Sequence, residues 1–184
     1  MQELSLNILD IAQNSVRAGA TLIQIRVEQD TRRDFMSIEI EDNGCGMTPE
    51  QVAHVVDPFY TTRTTRKVGL GVPFFKMAAQ MANGEFSIRS APGEGTLVRG
   101  TFVNSHIDRM PLGDMAETVS CLSGCNPDLD FVYTYTYNGG SFTADTREFR
   151  QILQGIPLSS PQVITFLKEM IRQNTQELLT GAPG

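Results

Sequence analysis

Three short stretches hold residues whose types and spacing could do chemistry. Asp42-Asn43-Gly44-Cys45-Gly46-Met47 puts a carboxylate and two glycines at the end of an alternating, strand-like run. A carboxylate there can accept a hydrogen bond from the 6-amino group of adenine, a position where guanine carries a carbonyl. Gly44 and Gly46 permit positive φ and let backbone approach a flat base closely. The competing reading is a plain Asp-Asn-Gly turn between strands. Upstream, Asp10 and Asn14 stand four residues apart on one side of a helix. Downstream, Val68-Gly69-Leu70-Gly71 opens another helix, and free N–H groups at a helix N-terminus form an anion site that glycines let a phosphate reach. Between them lies Asp57 to Lys67, rich in Thr, whose Arg63, Arg66 and Lys67 are natural partners for triphosphate oxygens.

The elements that must position these groups follow from periodicity. Residues 2 to 18 read as a helix with Leu4, Ile8, Ile11, Ala12 and Ser15 on one face. Asn7, Asp10, Asn14 and Arg17 form a second, polar stripe edged by Leu6, Leu9 and Val16, which argues against a simply solvated face. Gly19 closes this helix. Leu22 to Glu28 and Phe35 to Glu41 alternate as two half-buried strands about a polar turn, and the second runs straight into Asp42. Thr48-Pro49-Glu50 starts a short helix. The helix from Gly71 should reach about Asn83, with Phe74, Phe75, Met77, Ala78 and Met81 as core. Two more strands, Glu85 to Ser90 and Thr96 to Val103, flank Ala91-Pro92-Gly93-Glu94-Gly95.

In this order the stretches resemble the N, G1 and G2 boxes of the GHKL ATP-binding superfamily, named for gyrase, Hsp90, histidine kinases and the mismatch-repair ATPase. The resemblance spans roughly residues 2 to 103. Pro58-Phe59-Tyr60-Thr61-Thr62-Arg63 is similar to the Pro-Phe-x-Thr-Thr-Lys of nitrogen-regulator-type histidine kinases, with Arg63 in the Lys place. The resemblance implies a two-layer α/β sandwich of Bergerat type, with a mixed, mostly antiparallel sheet and helices on one face. It implies ATP and Mg²⁺ as ligands. Asn14 would ligate Mg²⁺, Arg17 would contact phosphate, and Asp42, Gly44, Gly46 and Met47 would hold the base. Arg63, Lys67, Gly69, Leu70 and Gly71 would surround the phosphates, and Thr96 would bind near adenine through water. Where hydrolysing members carry a Glu as general base, this chain has Asp10, one methylene shorter, and a misplacement of about 1 Å can cost ~10²-fold in rate.

Composition narrows the function classes. The chain has 184 residues, 40% hydrophobic and 20% charged, the balance of a globular protein. A net charge of −6 argues against a general nucleic-acid surface. No apolar run approaches the ~20 residues of a membrane helix, and the N-terminus lacks the pattern of a signal peptide. Three cysteines suit a reducing cytosol, so a cytoplasmic protein is expected. No Gly-x4-Gly-Lys-Ser/Thr occurs, which excludes a P-loop.

Residues 1–104 read as the ATP-binding unit and 105–184 as a small α+β appendage. In the appendage, Asn104 to Gly113 is a linker and Asp114 opens a helix through about Ser123. Phe131 to Tyr137 and Ser141 to Ala144 form a hairpin whose Phe131, Tyr133, Tyr135 and Tyr137 share one face, more in keeping with core than with a partner surface. A helix spans about Thr146 to Gln154, and Ser160-Pro161 caps a last one with Val163, Phe166, Met170 and Ile171 inward. Gly181 to Gly184 should be loose. Cys121 and Cys125 fall short of the about four ligands of a zinc site.

With its tail, the chain looks like the stand-alone histidine-kinase-like ATPases of anaerobic bacteria associated with iron-hydrogenase components. That implies a protein partner, redox-related or a phospho-acceptor. An ATPase or ATP-driven switch, a kinase of histidine or anti-sigma serine type, and a non-hydrolysing nucleotide sensor all stay open. A kinase would need an acceptor on another chain, because the two histidines, His54 and His106, lie in no long helix ahead of the boxes.

Overall fold

A computed structural model describes residues 3–59 and 70–181. Among the described residues, six strands form one mixed sheet in the order β3-β4-β2-β1-β5-β6. They are β1 (Leu22–Asp30), β2 (Phe35–Asp42), β3 (Phe86–Ala91), β4 (Gly95–Val103), β5 (Asp130–Tyr137) and β6 (Gly140–Asp145). All neighbours are antiparallel except β1 and β5, which pair in parallel.

The period-two pattern of each strand gives the sheet two faces. Ile23, Ile25 and Val27 of β1, Ile38 and Ile40 of β2 and Phe131, Tyr133 and Tyr135 of β5 are buried on one of them. The other carries charge, with Arg26 bridging Glu39 and Glu41 at 2.8 Å each and Arg99 reaching Glu39 at 3.1 Å. These pairs are half-exposed, so they set solubility and register more than stability. The expected two-layer sandwich is present, and of the aromatic stripe Phe131, Tyr133 and Tyr135 are core while Tyr137 is partly buried against it. The Tyr135 hydroxyl finds its acceptor on Gln29 at 2.7 Å.

The helices are α1 (Leu4–Arg17), α2 (Pro49–Val55), α3 (Gly71–Met81), α4 (Met115–Cys125), α5 (Thr146–Leu153) and α6 (Pro161–Thr180). Helix α1 buries Leu4, Ile8, Ile11, Ala12 and Ser15 against the sheet. Its N-terminus has no side-chain cap. Instead the N–H groups of Leu4 and Ser5 donate to the carbonyls of Pro111 and Leu112 at 2.9 and 2.8 Å. The segment after β4 thus satisfies two of the donors that a helix start leaves free.

Two expectations about burial need correction. On α3, Phe75 and Ala78 are buried but Phe74, Met77 and Met81 are 37%, 48% and 53% exposed. The helix is apolar nearly all round, so composition did not mark the face that meets the sheet. On α6, Val163, Leu167 and Ile171 are the buried residues, spaced four and four, while Phe166 is 58% exposed and rests edge-on against Phe149 of α5. Ser160 makes no side-chain cap either, and its carbonyl accepts from Val163 and Ile164 instead. The end of the chain, 182–184, lies outside the described residues.

Candidate functional site

Asp42 ends β2 directly across from Thr96 of β4, and Thr96 stands across from Ser90 of β3. The three side chains therefore form a polar row across three strand ends. Asp42 Oδ2 accepts the hydroxyl proton of Ser15 at 2.6 Å, and Oδ1 accepts the N–H of Gly44 at 2.9 Å. A carboxylate offers about four acceptor positions, so each oxygen keeps capacity for a further donor. Asn43 ties the turn down by accepting from the N–H groups of Thr21 and Leu22 at 2.8 and 3.0 Å. Gly46 has φ 70°, and a Cβ there would lie 1.9 Å from the Ala91 carbonyl oxygen. No other residue type fits that crossing.

Ser90 is a member of the site that sequence reasoning missed. Its Oγ accepts from Met47 N–H at 2.8 Å and donates to the Gly95 carbonyl at 2.9 Å. A hydroxyl has one proton. The 2.7 Å contact between Ser90 and Thr96 must then use the Thr96 proton. Thr96 is left with only lone pairs to offer elsewhere. The signal was available only through register: once Ala91 pairs with Gly95 in the hairpin, Ser90 must face Thr96.

Behind this row lies a cavity of about 170 Å³. Ile11, Ile40, Met47, Val72, Ile88 and Val98 line it, and Asn14, Asp42 and Thr96 supply polar groups. An apolar slot with a few polar groups is the usual build of a small-ligand site. A flat heterocycle carrying one exocyclic donor matches it.

The polar stripe of α1 continues from this cavity. Asn14 lines it, and Arg17 Nη1 donates to Asn14 Oδ1 at 2.9 Å. One turn earlier sits Asp10, whose carboxyl is pushed up from the usual range by burial, with the Arg17 charge pulling the other way. A Cβ on Gly71 would fall 2.7 Å from the Asp10 Cβ. The first residue of α3 thus lies directly on Asp10, and the N-cap residue of that helix, Leu70, supplies no side-chain cap. Asn7, the first residue of the stripe, is not part of this arrangement. It is fully buried, and its carboxamide atoms have no partner.

Of the expected site residues, Asp10, Asn14, Arg17, Asp42, Gly44, Gly46, Met47, Leu70, Gly71 and Thr96 are described, and all sit along α1, the β2 end and loop, the α3 start and the β4 start. Arg63, Lys67 and Gly69 lie outside the described residues, as does Arg66.

The family described as histidine kinase-, DNA gyrase B-, and HSP90-like ATPase matches residues 1–105, more than half of the chain. The chain is 33% identical over 110 residues to the sensor protein kinase FleS of Pseudomonas aeruginosa, covering 60% of this chain and 27% of that one. It is 30% identical over 115 residues to the non-motile and phage-resistance protein of Caulobacter vibrioides, covering 59% of this chain and 14% of that protein. Among solved structures, the Aquifex aeolicus MutL ATPase domain complexed with ADP aligns with a TM-score of 0.50 at 14% identity, over 84% of this chain and 70% of that chain. The N-terminal domain of a DNA repair protein aligns with a TM-score of 0.54 at 15% identity, over 78% and 52%. At such identities these two speak to the fold alone.

Proposed function

From the premise that this chain belongs to the histidine kinase-, DNA gyrase B-, and HSP90-like ATPase family, we propose that it binds Mg·ATP and acts as an ATPase or ATP-driven switch. The observation that carries the reading is the Asp42 carboxylate, fixed by Ser15 and Gly44 at the polar end of an apolar slot with acceptor positions to spare. Adenine enters the slot with its amine on Asp42. Met47 covers the base, and a water held by Thr96 completes its hydrogen bonds. The phosphates run along the α1 stripe to the uncapped start of α3, where Leu70 and Gly71 present backbone. Arg63, Lys67 and Gly69 are assigned to the same phosphates on sequence alone.

The residues fit a magnesium ion that arrives with nucleotide. No group of three or more His, Cys, Asp or Glu among the described residues could hold a metal. Magnesium takes few protein ligands and is bound chiefly through water and phosphate oxygens, so the Asn14 carboxamide oxygen is a suitable single donor. When bound, the ion supplies charge to the phosphate oxygens. Asp10 would then orient and deprotonate water as general base, from a position that the backbone of Gly71 closes off on one side.

A second reading is a kinase whose acceptor lies on another chain. It draws on the relationship to a protein named as a sensor kinase, of which this chain spans 27%. In either case residues 1–104 form the nucleotide unit. The appendage, 105–184, would meet a protein partner, redox-related or a phospho-acceptor. Its hairpin shares the sheet with the nucleotide unit through β1 and β5, which supports mechanical coupling. Three exposed free cysteines favour a reducing, cytoplasmic setting.

Phosphorus NMR of Mg·ATP mixed with the protein tests the reading. Broadened signals with steady conversion to ADP and phosphate support the ATPase. Broadening without conversion moves the choice to the kinase or to a nucleotide sensor. Sharp, unchanged signals overturn nucleotide binding altogether.

A further inference from the structure

The acceptor that a magnesium ion needs on this protein already carries a cation on one of its two lone pairs. Arg17 Nη1 donates to Asn14 Oδ1 at 2.9 Å, and the same guanidinium attracts the carboxylate of Asp10, one turn below Asn14. A metal and a guanidinium on one carboxamide oxygen would be a few ångströms apart, and like charges so close repel strongly. Arg17 is exposed and lies in the last turn of α1, so its side chain is free to swing. Its guanidinium fits phosphate oxygens as well as it fits a carboxamide.

We infer that Arg17 is the resident cation of the nucleotide-free site and exchanges with the metal. It masks Asn14 until Mg·ATP enters, then leaves the carboxamide oxygen to the ion and moves onto the phosphates. The site around Asp10 and Asn14 keeps one cation in both states. Two consequences follow. Free metal alone meets the Arg17 charge at Asn14 with no phosphate to draw that charge away, so metal and nucleotide enter together. When metal is scarce, Arg17 supports binding of metal-free ATP. This inference rests on the proposed nucleotide site and assigns to Arg17 a positioning role in it.

The test compares ATP affinity by calorimetry in excess magnesium and in chelator, for the wild type and for Arg17→Ala, Arg17→Lys and Asn14→Ala. Arg17→Ala is expected to weaken metal-free ATP by ~10- to 100-fold, the worth of a charged hydrogen bond, and Mg·ATP by less than ~10-fold. Arg17→Lys should restore most of the metal-free affinity. Asn14→Ala should do the reverse of Arg17→Ala, sparing metal-free ATP and removing the advantage of magnesium. A second readout needs no nucleotide: the side-chain amide signals of Asn14 in a nitrogen–proton spectrum should move on Arg17→Ala and stay still when magnesium alone is added to the wild type. Equal loss of both affinities in Arg17→Ala, Asn14 signals unmoved by that substitution, or Asn14 signals that shift with magnesium alone overturn the exchange while leaving nucleotide binding intact. A wild type that binds ATP in neither condition overturns the nucleotide site itself, and the exchange with it.

Discussion

Ser15 of α1 gives its hydroxyl proton to Asp42 of β2 across 2.6 Å, joining two residues 27 positions apart. The bond fixes the carboxylate, and it also fixes the rotation of α1 about its axis. Ser15 is buried, so its neighbour Asn14 is carried to the cavity and Arg17 and Asp10 to the stripe beyond. One hydrogen bond therefore aligns the Asp42 end of the candidate site with the Asp10 end.

Removing the carboxylate should separate those two ends. Asp42→Ala is expected to weaken ATP by ~10- to 100-fold through loss of a charged acceptor, and to leave inorganic triphosphate barely affected. It also strands the Ser15 hydroxyl, so stability should fall by about 1–3 kcal/mol. Calorimetry with ATP, GTP and triphosphate checks the first part, and denaturant melts the second. If wild-type protein took ATP and GTP equally, Asp42 would not be reading adenine.

Much of this was legible because each local signal agreed with its neighbours. The amphipathic period of α1 named its buried face, and the alternation of β1 and β2 delivered Asp42 to a strand end. Thr48 and Pro49 marked the start of α2, where the Thr48 hydroxyl accepts the Gln51 backbone N–H and the Gln51 side chain accepts the Thr48 backbone N–H. What stayed hidden depended on contacts between distant segments. Ser90 joins the site only through hairpin register, and the Pro111 and Leu112 carbonyls reach α1 from more than a hundred residues away. The parallel pairing of β5 with β1 is likewise a choice that no local period encodes. On α3 the pattern itself was ambiguous, since an all-round apolar helix has no single best face.

That ambiguity yields a contrast in stability. Phe75 is fully buried and stacks edge-on with Phe86 and Phe102, whereas Phe74, Met77 and Met81 are partly exposed. Phe75→Ala should cost about 3–5 kcal/mol. Met81→Ser, on the same helix, should change stability by no more than about 0.5 kcal/mol. Urea unfolding followed by circular dichroism measures both. A large loss from Met81→Ser would place that side chain in the core after all.

Gly71 offers a test of how closely α3 must approach α1. Any side chain there meets the Asp10 Cβ at 2.7 Å, so Gly71→Ala has to push the two helices apart. Overpacking of this kind costs about 1–3 kcal/mol, and it displaces the start of α3 from the stripe it faces. The expected result is a modestly lowered melting temperature together with a loss of ATP affinity that exceeds the loss from Met81→Ser. Normal affinity in a Gly71→Ala protein of normal stability would show that the phosphates do not depend on this junction.

Asp10 separates catalysis from stability through its ionisation. Burial raises its carboxyl above the usual aspartate range, only partly countered by Arg17. A folded-state value above the unfolded one means that this group favours folding below the unfolded value and loses that contribution as pH rises through the folded value. At neutral pH the ionised carboxylate is therefore a small burden on the fold, and Asp10→Asn should not lower the melting temperature. The same substitution removes the proposed general base, so turnover of Mg·ATP should fall by ~10²-fold or more while binding persists. For the wild type, turnover should decline on acidification at a higher pH than an ordinary aspartate would give, because the carboxyl takes up its proton earlier. Asp10→Glu, which restores the missing methylene, should raise turnover and leave affinity unchanged. A phosphate-release assay run from acid to neutral pH on all three proteins is the measurement. If Asp10→Asn hydrolysed ATP at the wild-type rate, the base would have to be sought elsewhere.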